Sequence, residues 1–211
     1  GEVQETVAQV AALSRRIDEV AAQAAQQVDL ARARVAEIEE EAAAELDRAT
    51  IEAALAEIRS ALASGTPFSD AAARLAEGPG VPAGLLNAAP AGVPTVAQLR
   101  ARFPQAANAA IQASIQSQAA QGDVLDRLGG FFRSQVASRS LEPREGDDAD
   151  AILSRMEAAL RSDDLDTALS EAEALPPEAA GAMADWLAAA RARQEAVTSF
   201  ETLQAELSAT N

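Results

Sequence analysis

The 211-residue sequence contains no cysteine, no histidine and no lysine, and these absences exclude several kinds of active site. Without these residues there is no imidazole base, no thiolate nucleophile, no Schiff-base amine, and no His or Cys ligand for zinc. Enzymes that work with carboxylates alone form a narrow class, so we predict a non-enzymatic protein without a cofactor or metal. With no cysteine, neither a disulfide framework nor a redox compartment can be inferred.

Aromatic residues are also scarce, at 3% of the chain, and tyrosine is absent. Because aromatic residues are among the usual strand builders, a β-sheet is not expected. Hydrophobic residues still make up 48% of the sequence, and many of them are alanine, the strongest helix former. The composition therefore predicts an all-α fold, with a long N-terminal coiled-coil helix followed by a small helical bundle.

Residues 1–50 have the pattern of a coiled coil. From Gly1 to about Ala49 there is no proline and no internal glycine, and apolar residues recur three and four apart with a shift in phase between Ala24 and Val28. A helix of this length would reach roughly 70 Å, too long to be stable without a partner, so we predict a homo-oligomer. The alternative is a helix that folds back on later helices. The predicted oligomerisation residues are Val3, Val10, Leu13, Ile17, Val20, Val28, Val35 and Ile38.

Residues 51–95 are predicted to be a helical segment followed by a linker. An apolar face ends at Ser64 and Gly65, and Ser69 is a candidate N-cap for a short helix. The run Gly78-Pro79-Gly80-Val81-Pro82 predicts a turn-rich connection. Thr95 is predicted to cap the next helix.

Residues 96–144 are predicted to contact lipid. They contain six Arg and three acidic residues, although the whole chain carries a net charge of −16, which disfavours nucleic-acid binding. Two adjacent phenylalanines on an amphipathic stretch, flanked by arginine, suit an anionic membrane surface. In the alternative interpretation the apolar residues are core and the arginines pair with acids. The lipid-binding candidates are Arg100, Arg102, Leu125, Arg127, Leu128, Phe131, Phe132, Arg133 and Arg139.

Residues 145–211 are predicted to form a C-terminal helical domain. Three amphipathic helices are expected, with Pro176-Pro177 ending the second and the last starting near Glu178. Acidic clusters occur at Glu39-Glu40-Glu41, Asp147-Asp148-Asp150 and Asp163-Asp164-Asp166. None has the spacing of a calcium loop, and we interpret them as helix-surface and N-terminal residues rather than metal ligands.

Several short motifs follow one another in order after the coiled coil. They are Gly65-Thr66-Pro67-Phe68, then Gly92-Val93-Pro94-Thr95 with Leu99 and Phe103, then Asp163-Asp164-Leu165 with Ala168, and finally Trp186-Leu187 with Ala190-Arg191. Their order resembles the mitofilin family, in particular its bacterial, periplasm-facing members, and the similarity covers roughly Ile51 to Phe200.

This resemblance implies a membrane-shaping function. Family members support cristae junctions or intracytoplasmic membranes, and they carry a lipid-binding region between the coiled coil and the terminal domain, where residues 96–144 lie here. The resemblance also implies an inner-membrane location on the periplasmic side, one N-terminal membrane helix, and a small protein subunit bound to the terminal domain. We assign no residue of this sequence to the contact with that subunit. Because the sequence opens at Gly1 rather than Met, we expect the membrane helix to have been removed.

A second function class is a helical adaptor. The stretch from Ile152 to Leu175, with Ala168 and the closing Pro176, is similar to one tetratricopeptide unit. A single unit cannot bury its own faces, and no 34-residue period recurs in the chain. The adaptor would bind a protein partner in a groove without lipid activity, whereas the membrane scaffold would bind and bend liposomes.

Overall fold

The computed structural model describes residues 1–120 and 146–209, and throughout these ranges the regular secondary structure is helical, without a strand. The all-α prediction is therefore confirmed. The eight helices described are α1 (Glu2–Ser64), α2 (Ser69–Ala76), α3 (Ala83–Ala88), α4 (Val96–Ala120), α5 (Ala149–Arg161), α6 (Leu165–Ala172), α7 (Pro177–Ala182) and α8 (Ala184–Ala209). The chain divides into two compact units, Gly1–Glu52 and Ala53–Asn211.

The first unit consists of the N-terminal part of α1. The helix has 63 residues and continues through position 50, where the sequence analysis separates two helical stretches. It has neither glycine nor proline and is rich in alanine and glutamate, so nothing in its sequence interrupts the hydrogen-bond ladder. The described side chains of residues 2–50 are exposed.

The second unit has its main core where α4 packs against α5, α7 and α8. Leu99 and Phe103 on α4 are buried there, together with Met156 on α5 and Trp186 on α8. The rings of Phe103 and Trp186 meet edge to face, with their centroids 5.1 Å apart. The indole N–H of Trp186 donates a 2.9 Å hydrogen bond to the carbonyl oxygen of Leu99, so this buried polar group is satisfied.

The C-terminal half of α8 has a second buried face in this unit. Ala196, Phe200 and Leu203 are buried, and α3 packs against α8. The guanidinium of Arg59, near the end of α1, lies 5.6 Å from the centroid of the Phe200 ring, within cation–π range. Helices from the predicted ranges 51–95, 96–144 and 145–211 thus all contribute to the unit that begins at Ala53.

Local sequence signals place most helix ends. Gly65, with φ of +75°, follows the last residue of α1, as the sequence predicts for a C-terminal glycine. Thr95 Oγ1 accepts a hydrogen bond from the backbone N–H of Gln98, while the Gln98 side chain accepts one from the N–H of Thr95. This reciprocal capping box confirms the predicted role of Thr95. Ser69 is instead the first residue of α2, and Phe68 occupies its N-cap position.

The final helix differs from the prediction because it is split in two. Helix α7 ends at Ala182, and Met183 leaves helical geometry with φ of −114° and ψ of 21° before α8 begins at Ala184. Gly181, a poor helix former, lies two residues before Met183. The break leaves Met183 buried in the main core.

The close approach of α3 to α8 predicts opposite effects for two glycine substitutions. A Cβ atom on Gly84 would lie 3.1 Å from the backbone oxygen of Glu195 and would overlap Ser199 Oγ, whereas one on Gly181 would meet nothing within 4 Å. We expect Gly84→Ala to lower the free energy of unfolding by about 1–3 kcal/mol through overpacking. Gly181→Ala should raise it by up to about 1 kcal/mol through helix propensity. Urea unfolding followed by circular dichroism measures both, and equal effects would contradict the packing described.

Candidate self-association stripe and lipid-contact residues

The predicted oligomerisation residues lie on α1 in the first unit, and all of them are exposed. Their exposed fractions run from 48% at Val28 to 77% at Val3. Large apolar side chains scattered singly on a surface are ordinary, but a row of them along a helix leaves a continuous apolar face in water. We call the residues Val3, Val10, Leu13, Ile17, Val20, Val28, Val35 and Ile38 the α1 stripe.

The side chains of the α1 stripe form a local depression. Val28, Ala31, Arg32 and Val35 line an open concavity on the helix surface, together with Ala36 and Glu39. The first four stand at positions i, i+3, i+4 and i+7, the arrangement of a hole that receives a side chain from a facing helix in a coiled coil.

Three further exposed apolar residues of this unit are missing from the predicted set. Leu46, 69% exposed, continues the three-and-four spacing of the α1 stripe, so the sequence carries a signal for it. Val7 directly flanks the stripe. Leu30, 72% exposed, falls on another side of the helix at 3.6 residues per turn, and no periodic signal marks it.

Of the lipid-binding candidates, Arg100 and Arg102 are described, and both are exposed residues of α4. Arg100 Nη1 lies 3.2 Å from Asp163 Oδ1 in an ion pair between partly exposed side chains. In the alternative interpretation of residues 96–144 the arginines pair with acidic residues, and Arg100 has such a partner. Leu125, Arg127, Leu128, Phe131, Phe132, Arg133 and Arg139 lie outside the described residues.

The apolar face of α4 is used mainly for the core of the second unit. Leu99, Phe103 and Ala110 are buried there, and Ile111 is partly buried against them. Ile115, one turn further on, has 47% of its surface exposed. The hydroxyl of the neighbouring Ser114 is buried and has no hydrogen-bond partner among the described residues. The first part of the predicted lipid-contact region, Val96 to Ala120, is thus a structural helix of the fold.

The acidic clusters at residues 147–150 and 163–166 act as helix caps. Asp148 Oδ1 accepts a 2.9 Å hydrogen bond from the backbone N–H of Ala151, and Asp164 Oδ1 accepts one of the same length from that of Thr167. The bonds from the backbone N–H and the hydroxyl of Thr167 lower the pKa of Asp164. These contacts agree with the predicted placement of acids at helix N-termini. Among the described residues, no group of three or more His, Cys, Asp or Glu could hold a metal ion.

Arg193 on α8 has a role that the sequence does not signal. One of its guanidinium nitrogens donates a hydrogen bond to the carbonyl oxygen of Leu62, in the last turn of α1. The backbone N–H groups of Gly65 and Thr66 both bond the carbonyl of Ala61, so Arg193 adds a side-chain donor to the same helix end. Burial lowers the pKa of Arg193. The two partners are 131 residues apart in the chain, too far for local pattern analysis.

None of the helices in the described parts of the chain is both long and apolar enough to cross a membrane.

These features define an all-helical protein with a long N-terminal helix, apolar along one exposed face, and a compact helical domain. The profile of the Mitofilin family, described as "Mitochondrial inner membrane protein", matches residues 86–208. The match spans more than half of the chain, and the chain belongs to this family. The resemblance found in the sequence is thereby confirmed. No curated protein and no solved structure matches the chain.

The family match begins in α3 and ends in α8. It therefore includes α4 and the main core. Residues 53–85, which form the end of α1, all of α2 and the start of α3, precede the match but belong to the same compact unit. The α1 stripe also lies before the matched residues.

The cap at Asp164 predicts a contribution of this residue to the pH dependence of stability. A carboxyl whose pKa is lowered by folding stabilises the native state above its ordinary pKa, and the contribution is lost as pH falls through the folded value. Asp164→Asn keeps an acceptor oxygen but has no carboxyl proton, so its melting temperature should fall less between neutral pH and about pH 2. Asp147→Asn, which alters an exposed carboxylate without this cap, is the control. Thermal melts showing the same pH slope for Asp164→Asn and the unchanged chain would contradict the assignment.

Proposed function

We propose that this protein is a non-enzymatic scaffold that organises the inner membrane by self-association through the α1 stripe and by contact with an anionic lipid surface. The observation that carries the proposal is the uncovered apolar face of α1. The eight residues of the α1 stripe have between 48% and 77% of their surface exposed. A long helix gains most of its stability from packing an apolar face, so a face without cover requires a partner.

A second copy of the chain is the partner that fits this face best. The three-and-four spacing of the α1 stripe is the pattern that two copies of one helix bury against each other. Self-association would also bring several lipid-contact segments together, which raises their effective concentration at a surface and converts weak contacts into stable attachment.

The membrane contact is proposed for residues 96–144. Their six arginines and three acids contrast with the acidic remainder of the chain, and Phe131 and Phe132 supply apolar rings for the acyl boundary. Because Val96 to Ala120 belongs to the folded core, the contact is assigned chiefly to the residues after Ala120. The family description supports an inner-membrane location. The periplasmic side, and a small protein subunit at the terminal domain, rest on the resemblance to bacterial and mitochondrial relatives.

The packing of the hairpin at residues 152–175 disfavours the adaptor alternative. Its apolar residues Ile152, Met156, Leu160 and Leu169 belong to the main core, which they share with residues of α4 and α8. Arg155 and Glu171 join the two helices of the hairpin through a 2.7 Å ion pair. These faces of the hairpin are thus covered within the same chain.

Replacing one residue of the α1 stripe with a charge should prevent self-association. Ile17→Asp would place a carboxylate in the centre of the buried seam, and we expect it to weaken association by about 3 kcal/mol or more. Leu30→Asp is the matched control, because Leu30 is also exposed and apolar but lies off the stripe. Sedimentation equilibrium measures both. A monomeric unchanged chain, or equal effects of the two substitutions, would contradict the proposed assembly surface.

The lipid contact is tested by cosedimentation with anionic liposomes. Phe131→Glu combined with Phe132→Glu should abolish binding, because two carboxylates cannot enter the acyl boundary of an anionic surface. Leu86→Glu, which alters an exposed residue of α3 outside the proposed region, should leave binding unchanged. Circular dichroism confirms that each variant is folded. Intact binding of the double variant would overturn the assignment, and electron microscopy of the vesicles separates a protein that shapes membranes from one that only binds them.

A further inference from the structure

Two turns of the compact unit share one local sequence and one local structure. Residues 65–68 lie between α1 and α2, residues 92–95 lie between α3 and α4, and both begin with the pattern Gly-x-Pro. Gly65 has φ of +75° and Gly92 has φ of +71°, values that favour glycine over residues with a side chain. We call these segments the first and the second Gly-x-Pro turn.

The backbone hydrogen bonds of the two turns also correspond. The N–H of Gly65 donates to the carbonyl oxygen of Ala61, at a distance of 2.7 Å. At the second turn the N–H of Gly92 donates to the carbonyl oxygen of Ala88, at 2.8 Å. Ala61 and Ala88 are both buried. Each glycine therefore closes the end of a helix in the same way, and the next helix follows directly after each turn.

The two turns pack against each other through their backbones. A Cβ atom on Gly92 would lie 2.6 Å from the carbonyl carbon and oxygen of Thr66. A Cβ atom on Gly65 would lie 3.1 Å from the carbonyl oxygen of Val93 and 3.1 Å from the side-chain oxygen of Gln98, on α4. Each glycine thus faces the residue that follows the other glycine, and each contact is closer than a side chain normally allows.

Hydrogen bonds tie both turns to further elements of the unit. The N–H of Phe68, in the first turn, donates a 2.9 Å hydrogen bond to the carbonyl oxygen of Ala89, just after α3. The carbonyl at the corresponding place before the first turn is that of Leu62, and it accepts from the guanidinium of Arg193. The end of α3 is therefore bonded to the first turn, and the end of α1 is bonded to α8.

We propose that the two Gly-x-Pro turns form an interlocked joint that fixes the end of α1 to the start of α4. Because backbone meets backbone there, the end of α1 separates from α4 only when both turns open together. The family match at residues 86–208 contains the second turn but not the first. The residues before the match therefore supply half of the joint. The domain holds the C-terminal end of the helix that carries the α1 stripe, whether or not that helix has a partner.

Amide hydrogen exchange on the full chain tests the joint, because it reports the opening of each turn separately. Gly92→Ala should raise the exchange rates of the Gly65 and Phe68 amides about tenfold or more, since the added methyl group overlaps Thr66 in the first turn. Gly65→Ala has the milder close approach and should raise the exchange rate of the Gly92 amide by a smaller factor. This second variant keeps the test decisive if Gly92→Ala does not fold.

Gly80→Ala is the matched control. Gly80 also has a positive φ, of +90°, but a Cβ atom there would meet nothing within 4 Å. The substitution therefore imposes the strain of a left-handed backbone without a close approach. It should change the exchange rates in the two Gly-x-Pro turns much less than either of the other substitutions does.

The decisive observation is exchange at the turn opposite to the substitution. A rise there in Gly65→Ala or Gly92→Ala that exceeds the rise in Gly80→Ala supports the joint. The inference is overturned if each substitution affects only its own turn, or if the opposite turn responds no more than it does to Gly80→Ala. The reporting amides lie outside both the α1 stripe and residues 96–144, so the result does not depend on self-association or lipid contact.

Discussion

The compact unit depends on helix α8, which buries one face along its first half and a different face along its second half. Its first half carries Trp186, Leu187 and Ala190, which complete the main core with α4 and α5, and its second half carries Ala196, Phe200 and Leu203, which are buried beside α3 and the end of α1. One helix thus packs against two groups of elements in the same unit.

Small side chains make this packing possible in a chain with few aromatic residues. Alanines such as Ala168, Ala179 and Ala190 are fully buried, and they let helix backbones approach closely. At Gly84 the helix backbones are so close that even a methyl group would overlap α8. Among the described aromatic residues, Phe103 and Trp186 are in contact between α4 and α8.

Much of the fold can be predicted from local sequence, whereas the contacts between distant residues cannot. The long helix follows from uninterrupted helix formers, and Thr95 caps α4 because a Thr followed three residues later by Gln satisfies two backbone N–H groups. The split between α7 and α8 is not predicted, because the sequence pattern continues across it while Met183, at the break, is buried in the main core. The roles of Arg193 and Arg100 are not predicted either, because each depends on a partner more than sixty residues away. For the α1 stripe, periodicity predicts which residues share an apolar face. The sequence of one chain does not show which surface packs against that face.

The contact between Arg193 and Leu62 has a consequence for the order of folding. The end of the first helix receives its side-chain donor from the last helix, 131 residues later in the chain. Contacts of such long sequence separation form late, because the intervening chain must first be made and brought together. During synthesis the α1 stripe therefore leaves the ribosome long before the compact domain can close. The proposed self-association would then have its surface available on a nascent chain before the compact domain is complete.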